Sequence, residues 1–372
     1  MKFDLTVTSA LPETYRTNRV HSLFNVTKEQ ASTHSIHVEL PLEAQSWKVG
    51  AVIGPSGTGK STLGRALFGE QAFHEGFTWG ERPIIEEVAP SAAFDDVCGA
   101  FSAVGLGTVP SWLRPFHVLS TGEKFRADLA RLLMECDTDV VIDEFTSVVD
   151  RQIAQIGAAA FSKAWRRKPQ GRAVVLSCHY DIVDWLQPDW ILDTREWQFS
   201  WRSLRRRPEI PLTIYETNWS AWPYFEPHHY LKLNHMIAAT NYVAESNGEP
   251  VCHVAVGTQA GLTTARICRL VTMPEYQGAG VGMKFLEFVA QLWLEGKNRY
   301  NKPMTGIIHT SHPGLVAALR RSKRWVLVSQ QMGGVNKNKS KITMNSSIHS
   351  GSGYGGHIRA VVGFRYVGDR GA

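Results

Sequence analysis

"KVGAVIGPSGTGKSTLGRALFG", Lys48 to Gly69, decides how the first half of the chain is read. "KVGAVIG" is an apolar run of strand length, and "STLGRALFG" has helical spacing that stops at a glycine. Between them "GPSGTGKS", Gly54 to Ser61, fits the pattern G-x-x-x-x-G-K-[ST] in its proper strand–loop–helix setting. Glycines allow successive backbone N–H groups to turn inward around phosphate oxygens. Gly54, Ser56, Gly57, Gly59 and Thr62 are expected to bind the nucleotide in that cradle. Lys60 is expected to reach the β- and γ-phosphates and Ser61 to bind Mg²⁺. The helix dipole favours the same anion. The expected ligands are ATP and Mg²⁺.

Three further stretches support this reading. "VVIDE" is an apolar strand ending in two carboxylates: Asp143 suits the magnesium shell, and Glu144 suits orienting or deprotonating an attacking water. "LSTGEKFRADLARLL", Leu119 to Leu133, has a helical pattern. "RAVVLSCHYD" is another buried strand, ending near His179. With these motifs in this order, the chain resembles the ABC-type ATPases over about residues 20 to 200. The family signature is usually LSGGQ; here Thr121 replaces a glycine and Glu123 the glutamine, while Ser120 and Gly122 match. The resemblance implies that Ser120 and Gly122 of one subunit cap the γ-phosphate on another. It also implies that Asp150 in "SVVD" is the D-loop aspartate and His179 the switch histidine that contacts the γ-phosphate. A homodimer with two ATPs at its interface follows. Trp47 is open to two readings, stacking on adenine or packing in the core.

A second glycine loop lies about 220 residues on, in "LVTMPEYQGAGVGMKFLEFVAQL". Gln277, Gly280 and Gly282 are spaced Q-x-x-G-x-G between a strand and a long helix, with Gly278 and Val281 inside the turn. It has no lysine and no Ser/Thr for a metal, so it suits a diphosphate that is held rather than a phosphoryl group that is transferred. With Val271 and Pro274 ahead of it, this stretch resembles the acetyl-CoA loop of GNAT-type N-acyltransferases, [RQ]-x-x-G-x-[GA]. That resemblance implies acetyl-CoA or another acyl-CoA as ligand, an amine as acceptor, and a backbone amide beside a splayed strand as oxyanion donor. His309 and His312 in "IIHTSHPG" are candidate catalytic groups, with Ser311 between them; substrate binding and capping of the next helix are the other readings. Arg266 and Arg269, and more remotely Tyr354 and Tyr366, are further candidates.

The chain has 372 residues, 43% hydrophobic and 20% charged, which excludes wholesale disorder and favours two cores. The expected fold class is α/β. Residues 1–205 would form a P-loop ABC-type domain, a mostly parallel sheet flanked by helices; residues 206–372 would form a GNAT-like α+β acyltransferase domain. The boundary is drawn at "WRSLRRRPEIPL". A helix is expected in "YLKLNHMIAATNYVA", and strands in "EPVCHVAVG" and "TARICRLVTMP". The five cysteines form no CxxC pair and read as reduced, buried thiols. The opening residues have no apolar secretory core, and no apolar run approaches the roughly 20 residues of a membrane helix. The expectation is a cytoplasmic protein without a membrane partner.

The net charge is +6, and "WRSLRRR", "LRRSKRW" and "NKNKSK" cluster cations near aromatics. Together they point to a nucleic acid, DNA or tRNA, as partner. The expected function is an ATP-hydrolysing ABC-type ATPase coupled to acyl transfer onto an amine of a nucleic acid base. The alternatives are a protein N-acetyltransferase with a regulatory ATPase module and a CoA-sensing ATPase without transfer.

Overall fold

The computed structural model describes residues 2–8, 12–24, 33–202, 208–231, 236, 238–258, 261, 263–331 and 360–369. The chain divides into two compact units. The first comprises Met1–Phe77, Cys136–Ser147 and Trp165–Arg207; the second comprises Thr78–Glu135, Val148–Ala164 and Pro208–Ala372.

The first unit opens with an antiparallel pair, β1 (Lys2–Thr8) and β2 (Thr33–Glu39), separated in sequence by helix α1 (Tyr15–Phe24). Its main sheet has six strands: β3 (Val49–Ile53), β4 (Phe73–His74), β5 (Val140–Ile142), β6 (Ala173–Ser177), β7 (Trp190–Asp193) and β8 (Gln198–Trp201). Their order is β4-β5-β6-β3-β7-β8, parallel throughout except for the edge strand β8. The β3 and β6 strands are buried along their whole length. A strand covered on both faces needs a continuous apolar run, and "VGAVI" and "AVVLS" are such runs. Helix α2 (Lys60–Phe68) follows β3 directly and buries Leu63 in the core beside Val52, Leu176 and Leu192. Trp47 is 7% exposed in this core, edge-on to Trp190 and Phe68. Its ring is therefore spent on packing, with the Arg172 guanidinium stacked over it.

The second unit contains three helices from the middle of the chain, α3 (Phe94–Ala103), α4 (Thr121–Glu135) and α5 (Arg151–Trp165). Helices α4 and α5 approach closely through glycine: a Cβ on Gly122 would press on Ile153, and one on Gly157 on Phe125. The same unit holds a seven-stranded sheet of β9 (Thr213–Thr217), β10 (Thr240–Ser246), β11 (Glu249–Thr258), β12 (Thr264–Thr272), β13 (Thr305–Thr310), β14 (Trp325–Gln331) and β15 (Val361–Tyr366). The order is β14-β15-β13-β12-β11-β10-β9, antiparallel except between β12 and β13. Helix α6 (Val281–Leu294) buries Phe285, Leu286, Val289, Ala290 and Trp293, a stripe at helical spacing. Helix α7 (Pro313–Arg321) leads into β14.

Two sequence expectations are corrected. Thr240–Ala244, expected as the end of a helix, lies in the strand Thr240–Ser246, which is buried on both faces and pairs along its two edges with β9 and β11. Cross-strand pairing there overrides local propensity. Cys178 is exposed rather than buried, lying where the chain leaves β6; all five cysteines are free, and burial pushes the Cys98 and Cys252 thiols up to about 11 and 12. The candidate Tyr354, "NKNKSK" and most of "WRSLRRR" lie outside the described residues.

Candidate functional site

In the first unit, parallel pairing brings the candidate residues to one sheet edge. The register Ile53↔Ser177 and Ile142↔Val175 places Gly54, Asp143 and His179 just beyond the C-terminal ends of adjacent strands. Ligands of open α/β sheets bind at that edge. Hydrogen bonds fix the loops: Gly54 N donates to Ser177 O (3.2 Å), Ser177 Oγ to Phe145 O (3.0 Å), and His179 N to Ser177 Oγ (3.1 Å). Ser177 thus connects the carboxylate loop to the histidine loop.

The glycine loop has the geometry of an anion cradle. Gly57 and Gly59 are left-handed (φ +80° and +85°), and a Cβ on Gly57 would meet nothing within 4 Å. Helix α2 begins at Gly59 with no side-chain cap, so its first N–H groups are left for a ligand. Lys60 Nζ lies folded over the loop, donating to the carbonyls of Gly54 (2.9 Å) and Pro55 (2.7 Å). Ser56 and Thr62 are exposed and Ser61 half-buried on the same turn. Asp143 is half-buried and accepts from Glu144 N (2.9 Å) through one carboxylate oxygen. Glu144 itself is exposed with φ +47°. That conformation costs a non-glycine residue about 1–3 kcal/mol, and such strain concentrates at functional turns.

Thr194, which the sequence reading passed over, braces this loop from the end of β7. Its Oγ1 lies 2.6 Å from Thr58 Oγ1, its N donates to Ile53 O (2.7 Å), and a Cβ on Gly54 would collide with its hydroxyl. No spacing rule marks it, because it is 136 residues from its partner.

The signature-like residues belong to the second unit. Ser120 and Glu123 form a capping box on α4: Ser120 N donates to Glu123 Oε2 (2.9 Å), and Glu123 N to Ser120 Oγ (3.3 Å). Burial works against the Glu123 carboxylate, but hydrogen bonds from Ser111 and Ser120 hold it below its ordinary range. This gives the glutamate, where the ATPase signature has glutamine, a local structural use. Gly122 is buried against Ile153, and Asp150 accepts from Ile153 N (2.9 Å) at the start of α5.

The second glycine loop sits where two parallel strands part. β12 and β13 pair from Thr264↔Thr305 to Ile267↔Ile308; β12 then runs on to Thr272 beside β11 alone. A register shift between His253 and Ala255 bulges β12, and Arg269 takes φ +54° at the bulge. His253 stabilises this bend. It is fully buried, its Nδ1 is 3.3 Å from Arg269 O, and its ring stacks on Phe225. Burial pulls its pKa from 6.5 to about 4, so it is neutral near pH 7.

Helix α6 starts at Gly280 (φ +85°), again with no side-chain cap, and a Cβ on Gly280 would meet nothing within 4 Å. Val281 is buried, and Gly282 packs against Thr272. Gly278 instead faces Gly105 and the Ala160 methyl. Gln277 accepts from Gly107 N (2.8 Å) and donates to Thr272 O (3.0 Å).

The two candidate histidines differ. His309 is exposed on β13, on the same face as Ile307, whose β12 partner is Arg266. Partial burial and the Arg266 charge lower its pKa, leaving a neutral ring able to accept a proton. His312 caps α7: its Nδ1 accepts from Leu315 N (3.3 Å) and its Nε2 pairs with Gly107 O (2.9 Å). Both ring nitrogens are occupied by backbone. Tyr366 is buried and donates to Gln291 Oε1 (3.0 Å). In "LRRSKRW", Arg324 is paired with Asp369 and Glu287 and Trp325 is buried, leaving Arg320, Arg321 and Lys323 as exposed cations.

Among the described residues, no helix is long and apolar enough to cross a membrane, and no three His, Cys, Asp or Glu side chains gather as a metal cluster.

Comparison with known proteins agrees with both halves. Residues 211–300 match the acetyltransferase (GNAT) family model. The N-terminal part is similar to ATP-binding proteins of ABC systems. The hemin import ATP-binding protein HmuV of Rhodococcus jostii (strain RHA1) is 26% identical over 178 residues, covering 38% of this chain and 60% of that protein. The cytochrome c biogenesis ATP-binding export protein CcmA of Paracoccus denitrificans (strain Pd 1222) is 29% identical over 148 residues, covering 35% of this chain and 68% of that protein. The chain thus spans less than two thirds of the length of the first relative. The solved structure of the ribosomal-protein-S18-alanine N-acetyltransferase from Escherichia coli aligns at 14% identity and a TM-score of 0.30, covering 43% of this chain and 97% of that one. The chain thus joins a region similar to the ATP-binding proteins of ABC systems to a region that matches the acetyltransferase (GNAT) family model.

Proposed function

We propose that this protein hydrolyses ATP at the first glycine loop and transfers an acyl group, acetyl in the simplest case, from acyl-CoA at the second to an amine on a nucleic acid base. The observation that carries the reading is a shared one. Two helices, α2 and α6, each begin at a left-handed glycine without a side-chain cap: α2 follows it with Lys60 and Ser61, at the same sheet edge as Asp143 and Glu144, whereas α6 follows it with Val281 and Gly282, its first lysine, Lys284, lying a turn on. Uncapped helix starts of this kind hold phosphate oxygens, and the neighbouring side chains decide whether the phosphate reacts.

At the first site, Lys60 leaves its two carbonyl partners to meet the β- and γ-phosphates. Ser61 and Asp143 would hold Mg²⁺, which would neutralise charge at the phosphates. Glu144 orients the attacking water, and His179 contacts the γ-phosphate. Two copies of the chain pair so that Ser120 and Gly122 of one cap the nucleotide held by the other, with Asp150 at the same interface. At the second site, the amides of Gly278 to Gly282 hold the CoA diphosphate. A backbone amide at the β12 bulge takes the developing oxyanion as the amine attacks the thioester carbonyl. The C–S bond breaks and the thiolate leaves, to be protonated as CoA. His309 takes the proton the amine gives up; His312 serves as a helix cap.

The net charge of +6 and the exposed Arg320, Arg321 and Lys323 support a polyanionic acceptor. The test is incubation with labelled acetyl-CoA, Mg-ATP and either DNA or tRNA, followed by mass spectrometry of the nucleosides. A labelled nucleoside is expected. Label on a protein acceptor alone, or on nothing, contradicts the nucleic acid reading.

A further inference from the structure

The loop that leads into α6 is held by residues from the middle of the chain. Arg126, on α4 six residues after Ser120, is 3% exposed. Its Nη1 donates to Pro274 O (2.7 Å), and its Nη2 reaches Glu275 O (3.5 Å). A second grip comes from the turn after α3. Gly107 N donates to the Gln277 side chain (2.8 Å), while Gly107 O pairs with His312 Nε2 (2.9 Å). A Cβ on Gly105 would collide with Gln277 O. From α5, the Ala160 methyl would lie 3.2 Å from a Cβ placed on Gly278. The loop Pro274–Gly278 therefore rests on three elements, and α4 and α5 also carry Ser120, Gly122 and Asp150 at or next to their N-terminal ends.

The charge environment of Arg126 makes this a shared node. The carboxylates of Glu275, Asp150 and Glu123 all favour its cationic form, against the burial that pulls it down to about 10. A buried guanidinium is costly unless its donors are met, and Arg126 Nε has no hydrogen-bond partner among the described residues. Its bonds to the loop are thus sensitive to small movements. A helix transmits displacement along its axis, and Arg126 lies about 9 Å along α4 from Ser120. A shift of about 1 Å takes a 2.7 Å hydrogen bond beyond useful range.

We infer that Arg126 is a positioning residue for the acyl-donor loop, and that through it nucleotide bound at the signature end of α4 changes the affinity for acyl-CoA. This rests on the proposed function for what binds at each loop. Linkage requires the effect to be mutual: acyl-CoA must change ATP affinity by the same factor.

The experiment titrates acetyl-CoA into the full chain carrying Glu144→Gln, with and without Mg-ATP. The expected shift in Kd is about five-fold or more. Adding Arg126→Gln should reduce the shift to below about two-fold, and Arg126→Lys, which keeps a charged donor, should restore part of it. An undiminished shift in Arg126→Gln overturns the inference. So does the lack of any shift while Gly280→Glu still abolishes acetyl-CoA binding. If acetyl-CoA fails to bind the unsubstituted chain, the proposed function itself is refuted. Hydrogen exchange guards against misfolding of the arginine variants. In the unsubstituted chain, Mg-ATP should alter protection of the amides of residues 275–280; unchanged protection overturns the inference.

Discussion

Gly57 and Gly280 share nearly the same φ, +80° and +85°, and a Cβ on either would meet nothing within 4 Å. Their surroundings differ in kind. Near Gly57 are a lysine, a serine, two carboxylates and a histidine, gathered from three parallel strands and their loops. Near Gly280 the cation, Lys284, lies exposed one turn into α6 rather than at the loop itself, one side of the loop is packed against neighbouring helices, and the approach is a bulged strand braced by a neutral histidine. In the proposed function, backbone geometry recruits a phosphate in both places, and the side chains around it separate a phosphate that is cleaved from one that is only a handle.

The strongest challenge to this contrast is Glu144→Gln. Removing a group that orients the attacking water should lower ATP turnover about 100-fold or more while acetyl-CoA binding is kept. Steady-state hydrolysis beside calorimetric titration checks both, and hydrolysis at the native rate would remove Glu144 from the chemistry.

The role of His253 is sharpened by pH. Its folded pKa, about 4, lies below the ordinary 6.5, so between these values the unfolded chain binds more protons. The stability linked to this group is fully present above about pH 6.5 and declines as pH falls toward 4, by about 3 kcal/mol in all. Denaturant unfolding of the native protein and His253→Gln across that range should show the difference changing with pH. A constant difference would mean that this histidine does not stay neutral under the bulge.

A smaller effect is expected from Thr194→Val. It removes the hydroxyl that meets Thr58 and should cost about 1 kcal/mol, a few-fold in ATP affinity, without touching acyl-CoA binding. Equal weakening of both ligands would contradict a local brace.

Both loops were legible in the sequence because each is local: a strand, a turn that only glycine enters easily, and a helix within about 20 residues. Asp143, Glu144 and His179 were legible as strand ends. Contacts across long sequence distances were not. Thr194 and Arg126 act on residues 136 and 148 positions away, and neither belongs to a pattern. Thr240–Ala244 was misread because its strand state comes from two flanking partners. His253 was missed for a related reason: a histidine inside an apolar strand has no signal until the bulge it supports is known. Trp47, left open between adenine and core, proved to be core.

The central claim is that each loop has its own ligand and can bind it without the other loop's side chains, whatever coupling Arg126 adds when both are filled. The direct measurement is titration of ATP and acetyl-CoA into Lys60→Ala and Gly280→Glu. The account predicts that Lys60→Ala loses ATP binding or turnover by about 100-fold or more yet still binds acetyl-CoA, and that Gly280→Glu does the reverse. Loss of both ligands in either variant, or unchanged acetyl-CoA affinity in Gly280→Glu, would contradict it.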